Sequence, residues 1–529
     1  MKKQVIITLI LLIATAYITV VYFRNLNTPG SHTSEVMATI PDNAALIFEF
    51  NNEKSFYDIF SDNTLLNSLT GKDELADIDT LRSQLLGNPL LNKYFDGQNL
   101  FISLHPLQGG GTDLLFTMSA AKGFEFSMIG KLMKQTGSGL IITEAKIQGK
   151  QGYNIYINSI KKRFFVINKE DNVFAGSFSE ELVQQSAQYK AKNDEKAFVL
   201  LSDQQNTNSL AELYVNYAQL NPLFSQIFQN KNTDIFKSFR LLPALAALSL
   251  NYKSDALMFN GSTTIQDNGP LSYLNLFVNQ QPVENQLKNI FPSTTAYSCN
   301  FSVSDPLKFA SDLSHWYDEA KLKNQQDTLF KKIKAETGIS LRTEFDAQLG
   351  NEFAMVTTRY QEKYGIISVK DGSKMKITLM DVSHMVTDDI GQFSYDKLPF
   401  FLLGDAFGVL KRPYFMVVDN YLILANTQAE LVSYHDTYFN RKFLSKMNSY
   451  NDFDELVSER SNVSFFINFK NAQPIFKRDM APDYFNMFEN YEPGWKDFYG
   501  ASYQFSAADK NFYTNFCMRL NQPDTTAVK

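Results

Sequence analysis

Metal-ligating side chains crowd together at one place in this sequence, Asp381-Val-Ser-His384-Met-Val-Thr-Asp388-Asp389. On a helix, Asp381, His384 and Asp388 would share a face at i, i+3 and i+7. Two carboxylates and an imidazole are a donor set for a divalent cation. The competing reading is a solvated helix end, and the segment about 250 residues earlier, around Lys131 to Gly139, carries no acid. The five histidines are too few and too dispersed for a zinc-protease signature. His105-Pro-Leu-Gln-Gly-Gly-Gly111 has the glycines of an oxyanion turn, but no Gly-x-Ser-x-Gly elbow supplies a nucleophile, so it reads as a hairpin turn. Phosphate-cradling glycine motifs are absent, and Ser373-Lys-Met-Lys376 lacks the partner motifs that would make its serine reactive. Cys299 and Cys517 are the two cysteines; a disulfide across a closed sheet and a pair of separate core thiols are both compatible with their positions. No catalytic residue, cofactor or metal is assigned, and the chain is expected not to be an enzyme.

The elements that would position these residues are mostly strands. Ala44 to Phe50, Asn99 to Leu104, Asp113 to Met118, Leu140 to Ile147, Gly152 to Ile157, Phe164 to Asn168 and Val173 to Ser177 are short apolar or alternating runs bounded by turn residues. Helices are expected at Phe56 to Phe60, Glu125 to Lys134, from Ser179 onward, and over Ser209 to Ile227. Asp305-Pro306 supplies an N-cap and a first-turn proline for another. Strands follow one another directly, which predicts antiparallel sheet and an α+β class. The 45 Phe and 26 Tyr fall largely on these strands, where aromatic cross-strand pairs stabilise packing.

The sequence is written twice. Ile40-Pro-Asp-Asn-Ala-Ala-Leu-Ile-Phe-Glu-Phe50 returns as Phe291-Pro-Ser-Thr-Thr-Ala-Tyr-Ser-Cys-Asn-Phe301, an offset of 251. Phe95-Asp-Gly-Gln98 returns as Phe345-Asp-Ala-Gln348, an offset of 250, and Glu181-Leu-Val183 as Glu430-Leu-Val432, an offset of 249. Ala247 to Phe259 aligns with Ala501 to Tyr513 at 254, but Tyr273 to Pro282 also resembles Tyr513 to Pro523, which leaves this end of the repeat ambiguous. The expected organisation is a transmembrane segment (1–24), a polar tether (25–36), lobe one (37–285, with an extra or linking strand near 262–285), lobe two (286–523) and a tail (524–529). Each lobe is mainly antiparallel sheet with packed helices.

Val5 to Phe23 is uncharged and, at 1.5 Å per residue, about 28 Å long as a helix, close to the hydrocarbon thickness of a bilayer. Lys2 and Lys3 precede it and Arg24 alone follows. That bias predicts a cytoplasmic N-terminus and an exported body, a single-pass protein of the bacterial inner membrane. Ala14-Thr15-Ala16 offers the alternative of a cleaved signal peptide. Without Lys2, Lys3 and Arg24, the 50 basic residues become 47 against 56 acidic ones, a balance of -9 that gives no attraction to anionic headgroups or nucleic acid. An apolar run, a polar tether and an Ile40-Pro-Asp-Asn-Ala-Ala-Leu46 opening before a Phe-rich strand resemble exported, membrane-anchored Gram-negative envelope proteins grouped as a domain of unknown function. The resemblance implies envelope placement and brings no functional residues.

The functional expectation is therefore a tethered periplasmic protein that binds or scaffolds through duplicated lobes, with an unknown protein as partner. The alternatives are a carrier for a lipid or other apolar ligand, and an enzyme with an unrecognised site.

Overall fold

The computed structural model describes residues 31–60, 65, 68, 72–107, 111–132, 139–169, 172–190, 209–229, 242–266, 271–490 and 494–521. Val5 and Phe23, the ends of the expected membrane segment, lie outside the described residues, as does the tail. No helix among the described residues is long and apolar enough to cross a membrane.

The protein is α+β, and its described residues build a 20-stranded sheet in which every pairing is antiparallel, with a separate two-stranded ladder. Ten strands come from the N-terminal part: β1 (Leu46–Asn51), β2 (Asn99–Pro106), β3 (Thr112–Ser119), β4 (Leu140–Ile147), β5 (Lys150–Ile157), β6 (Lys162–Asn168), β7 (Val173–Ser177), β8 (Ala211–Asn216), β9 (Ala244–Lys253) and β10 (Ala256–Ile265). Ten come from the C-terminal part: β11 (Thr295–Ser302), β12 (Leu349–Thr358), β13 (Lys363–Val369), β14 (Ser383–Met385), β15 (Gly391–Phe393), β16 (Tyr414–Val418), β17 (Tyr421–Ala425), β18 (Val463–Asn468), β19 (Phe498–Ala508) and β20 (Asn511–Leu520). Across the first set the spatial order is β4-β5-β6-β7-β3-β2-β1-β8-β9-β10. Across the second it is β14-β15-β16-β17-β13-β12-β11-β18-β19-β20. Adding ten to each label turns the first order into the second. The two sets meet at one seam, β10 against β20, from Ala256↔Arg519 to Thr263↔Phe512.

Strand alternation sorts side chains onto two faces. One carries a continuous apolar core through both sets, from Phe116 and Phe174 to Phe353 and Leu422. The opposite face carries three smaller cores, including Leu115–Leu182, Ile47–Tyr214 and Ile366–Tyr434. Helices therefore cover both faces, an unusual layering for a wholly antiparallel sheet.

Local signals hold where they are strong. Asp305 accepts from the Lys308 N–H at 3.0 Å and Pro306 opens the helix Pro306–Glu319. Ser179 accepts from Leu182 N–H to start Glu180–Gln188. Two expectations are corrected. The helix expected over Ser209 to Ile227 is strand β8 followed by the helix Tyr217–Ile227, because Ala211–Asn216 pairs with both β1 and β9. The expected tether does not stay free throughout: residues 31–36 open the helix Ser31–Ala38, which buries Val36 and Met37 against the β1, β2, β8 and β9 face. Packing does not change at 285, since Tyr273–Phe277 is a 3-10 turn whose Phe277 packs on Phe301, Phe309 and Phe353, and Val283–Glu284 pairs with Arg460–Ser461.

Candidate functional sites

Strand β1 illustrates how the sheet builds two different environments. Phe48 and Phe50 point to the continuous-core face, and Ile47 and Glu49 to the other. On the Phe50 side, the helix Lys72–Leu81 runs into a π-helical turn, Arg82–Leu86, before Leu91 and Phe95 return the chain to the sheet. Between this arch and β2, β3, β5, β6 and β7 lies a cavity of about 100 Å³. Its wall includes Leu81, Leu85, Phe95, Leu100, Phe116, Ile129, Ile155, Phe164 and Val166. Polar atoms reach it from Tyr57 and Arg82. The Tyr57 hydroxyl donates to Asn52 Oδ1 at 2.7 Å, and the Arg82 guanidinium lies 4.2 Å over the Tyr57 ring. Burial pushes the Tyr57 phenol up to about 12, with Arg82 pulling in the other direction.

The other face of the same strands is polar at its centre. Glu49 on β1 and Glu212 on β8 are directly opposed across the ladder and both are buried. Glu49 accepts from Asn99 Nδ2 at 2.7 Å and from the Tyr214 hydroxyl at 2.8 Å; Glu212 accepts from the Ser249 hydroxyl at 2.9 Å. Desolvation, opposed by hydrogen bonds from Ser249 and Ser209 and reinforced by the Glu49 charge, raises the Glu212 carboxyl to about 7. Further along β2, Ser103 Oγ lies 2.8 Å from His105 Nε2, and His105 Nδ1 lies 2.8 Å from Asn43 Oδ1. This has the connectivity of a nucleophile, a base and an orienting amide. Ser103 and His105 are, however, fully buried beneath the neighbouring elements, and Ser103 is also committed to the Leu115 carbonyl at 3.3 Å. Burial drives the imidazole down to about 3, so it stays neutral and closes a hydrogen-bond chain inside the core.

The second set of strands carries a related polar cluster at the same sheet positions. Where β1 and β2 hold Glu49 and Asn99, β11 and β12 hold Asn300 and Glu352. The partners are exchanged and the bond is retained, Asn300 Nδ2 donating to Glu352 Oε1 at 3.0 Å. Glu352 also accepts from the backbone N–H groups of Gln286 and Leu287, both at 3.0 Å, while burial raises its pKa. A small polar cavity of about 30 Å³ adjoins it, walled by Asn285, Lys288, Asn300, Asp454, Ser464 and Gln504 among others. That is room for a water molecule or two. Lys288 pairs with Asp454 at 2.6 Å at its margin.

The residues singled out in the sequence are not gathered at either cluster. Asp381 is the C-cap of the helix Gly372–Met380, His384 lies in the three-residue strand β14, and Asp388 is in the following turn. They share no helix face, all three are exposed, and no group of three metal-ligating side chains occurs among the described residues. The chain turns at Met380, where the i, i+3, i+7 argument loses its premise. The neighbouring Asp389 is tied to Lys376 at 2.8 Å. Cys299 and Cys517 are free, buried thiols. β11 and β20 are three strand spacings apart, about 14 Å, well beyond disulfide reach. Their side chains also face opposite cores. Of the two arrangements open to the pair, the disulfide is thus excluded by parity as well as by distance, and separate core thiols remain. Burial raises both thiols, Cys517 to about 12.

The sequence reading missed the Glu49–Asn99 pair, Glu212, and the cavity. One signal was readable. Asn216-Tyr-Ala-Gln-Leu-Asn-Pro222-Leu-Phe matches Asn468-Phe-Lys-Asn-Ala-Gln-Pro474-Ile-Phe at an offset of 252, each an Asn N-cap position before a helix with proline at its sixth residue. The two helices end on one another, through the bridge Phe228↔Met480. Compared with protein-family models, curated proteins and solved structures, the chain matches none.

Proposed function

We propose that this is a membrane-tethered, non-enzymatic envelope protein whose two homologous lobes, arisen by duplication, form one binding or scaffolding platform in the periplasm. The strand order carries this reading: ten strands recur in the same order on either side of the β10–β20 seam. The exchanged Glu49–Asn99 and Asn300–Glu352 pairs and the Phe228–Met480 bridge at the 252 offset support it further. An intact sheet running through both lobes fixes their mutual orientation, as a platform presenting distant surfaces requires. The opposed glutamates and the Ser103–His105–Asn43 chain support a non-catalytic role, because each is bonded internally beneath packed elements. The membrane anchor of this reading is Val5 to Phe23, with the N-terminus in the cytoplasm. Crosslinking in intact cells followed by purification from membranes tests the proposal: a reproducible periplasmic or membrane partner is expected, and loss of that partner on deleting residues 1–24. Recovery of the chain alone, or its resistance to protease added to spheroplasts, would overturn it.

The cavity beneath the Arg82–Leu86 turn favours a second reading, a carrier for an apolar ligand. Native mass spectrometry of the purified protein checks it, since a carrier retains a bound small molecule of defined mass.

A further inference from the structure

We propose that the cavity in the first lobe takes the alkyl tail of a straight-chain carboxylate, with the carboxylate paired to Arg82; this names a ligand class for the carrier reading and rests on it. Four observations converge. The wall is apolar apart from Tyr57 and Arg82, so the tail and the head of an amphiphile are each matched by chemistry. Arg82 is one-third exposed, at 32 %, its guanidinium carbon lies 4.2 Å from the Tyr57 ring centroid, and a guanidinium can take a carboxylate in a bidentate pair. Its present partner is Asp79, one turn away at 2.7 Å and 66 % exposed, a solvated pair that an incoming carboxylate exchanges at little cost.

The third observation is the π-helical turn Arg82–Leu86. This uncommon winding sits where Arg82, Leu85 and Leu86 face the cavity, and such turns concentrate at functional positions. Fourth, the fold does not require the void. In the second lobe, Phe277 and Phe407 both pack on Phe353, the counterpart of Leu100, and Phe407 also covers Gly365, the counterpart of Phe116. At about 100 Å³ the space is smaller than a 150 Å³ cavity that admits benzene. At roughly the 30 Å³ that a water takes in the liquid, it holds about three or four methylenes of an unbranched tail and no fused ring.

Calorimetric titration of the full chain with butanoate, hexanoate and octanoate, and with 1-octanol, tests this. Affinity should rise about fourfold per added methylene until the cavity is full, and octanoate should bind at least tenfold more tightly than 1-octanol. Arg82→Gln should erase the preference for the carboxylate while keeping the chain-length slope. Val166→Phe, which fills the space, should abolish saturable binding while near-UV circular dichroism stays native. Should Val166→Phe fail to fold, Ile129→Phe and the wild-type chain-length series carry the test. No saturable binding by wild type, a flat chain-length response, or binding untouched by filling the cavity overturns the proposal. Equal affinity for 1-octanol and octanoate also overturns it and leaves the carrier reading standing. A partner found by crosslinking bears only on the platform reading.

Discussion

Buried ionisable residues give this protein a pH dependence whose parts oppose one another. His105 remains neutral down to about pH 3 when folded and takes a proton near 6.5 when unfolded. The unfolded chain therefore binds the extra proton between those values, and stability falls as pH drops through that window, by about 1.4 kcal/mol per unit. Glu212 behaves in the opposite sense. Its folded carboxyl titrates near 7 against 4.5 unfolded, so its contribution is complete below 4.5 and is lost as pH rises through 7. Between about 4.5 and 6.5 the two slopes cancel. Glu212→Gln removes one of them, and its thermal midpoint should fall more steeply than that of wild type on acidification from pH 6.5 to 4.5. Parallel slopes would show that these residues do not set the profile. Cys299 and Cys517 allow a simpler check: intact mass after alkylation of the denatured, unreduced protein should show two modified thiols.

Individual elements show where local chemistry determines structure and where it does not. The hairpin β6–β7, the capped helices after Ser179 and Asp305 and the strand pairs β2–β3 and β4–β5 are legible because caps, turns and alternation act within a few residues. Ala211–Asn216 was read as helix because six residues between apolar neighbours satisfy either period; contact with β1 and β9 decides for strand. The buried glutamates were invisible for a different reason. Equivalent sheet positions hold Glu49 and Asn300, Asn99 and Glu352, so side-chain identity fails where bonding is retained. The last hairpins show how easily register hides: Lys253↔Ala256 corresponds to Ala508↔Asn511 at an offset of 255, one more than side-chain matching gives, and one residue exchanges the faces. Within β10, Gly261 sits where a Cβ would meet the Ala247 carbonyl oxygen at 2.1 Å. Gly261→Ala should accordingly destabilise the protein by about 1–3 kcal/mol in urea unfolding. An unchanged midpoint would mean that the strand can retreat at no cost.

At the scale of the molecule, the seam is what joins the two ten-strand sets into one sheet. Beyond the β10–β20 ladder, the Tyr217 hydroxyl meets that of Tyr503, Thr263 Oγ1 meets Thr514 Oγ1 at 2.7 Å, and Phe228 bridges Met480. Separating the two sets of strands would leave β10 or β20 with a full row of unpaired backbone groups. A fragment covering residues 271–529 should therefore self-associate, β20 against β20, and run as a dimer in light scattering at micromolar concentration. A stable monomer would argue that the seam contributes little.

The two outermost strands carry the opposite instruction. β14 is three residues long, and β4 places Glu144 and Lys146 along its exposed length. Short or charged margins refuse a neighbouring backbone. A body assembled by splicing one margin to another is a single unguarded strand away from growing into a filament, and these blunt ends limit the splice to one event. Lengthening β14 with an alternating apolar sequence should convert the protein into a polymerising one.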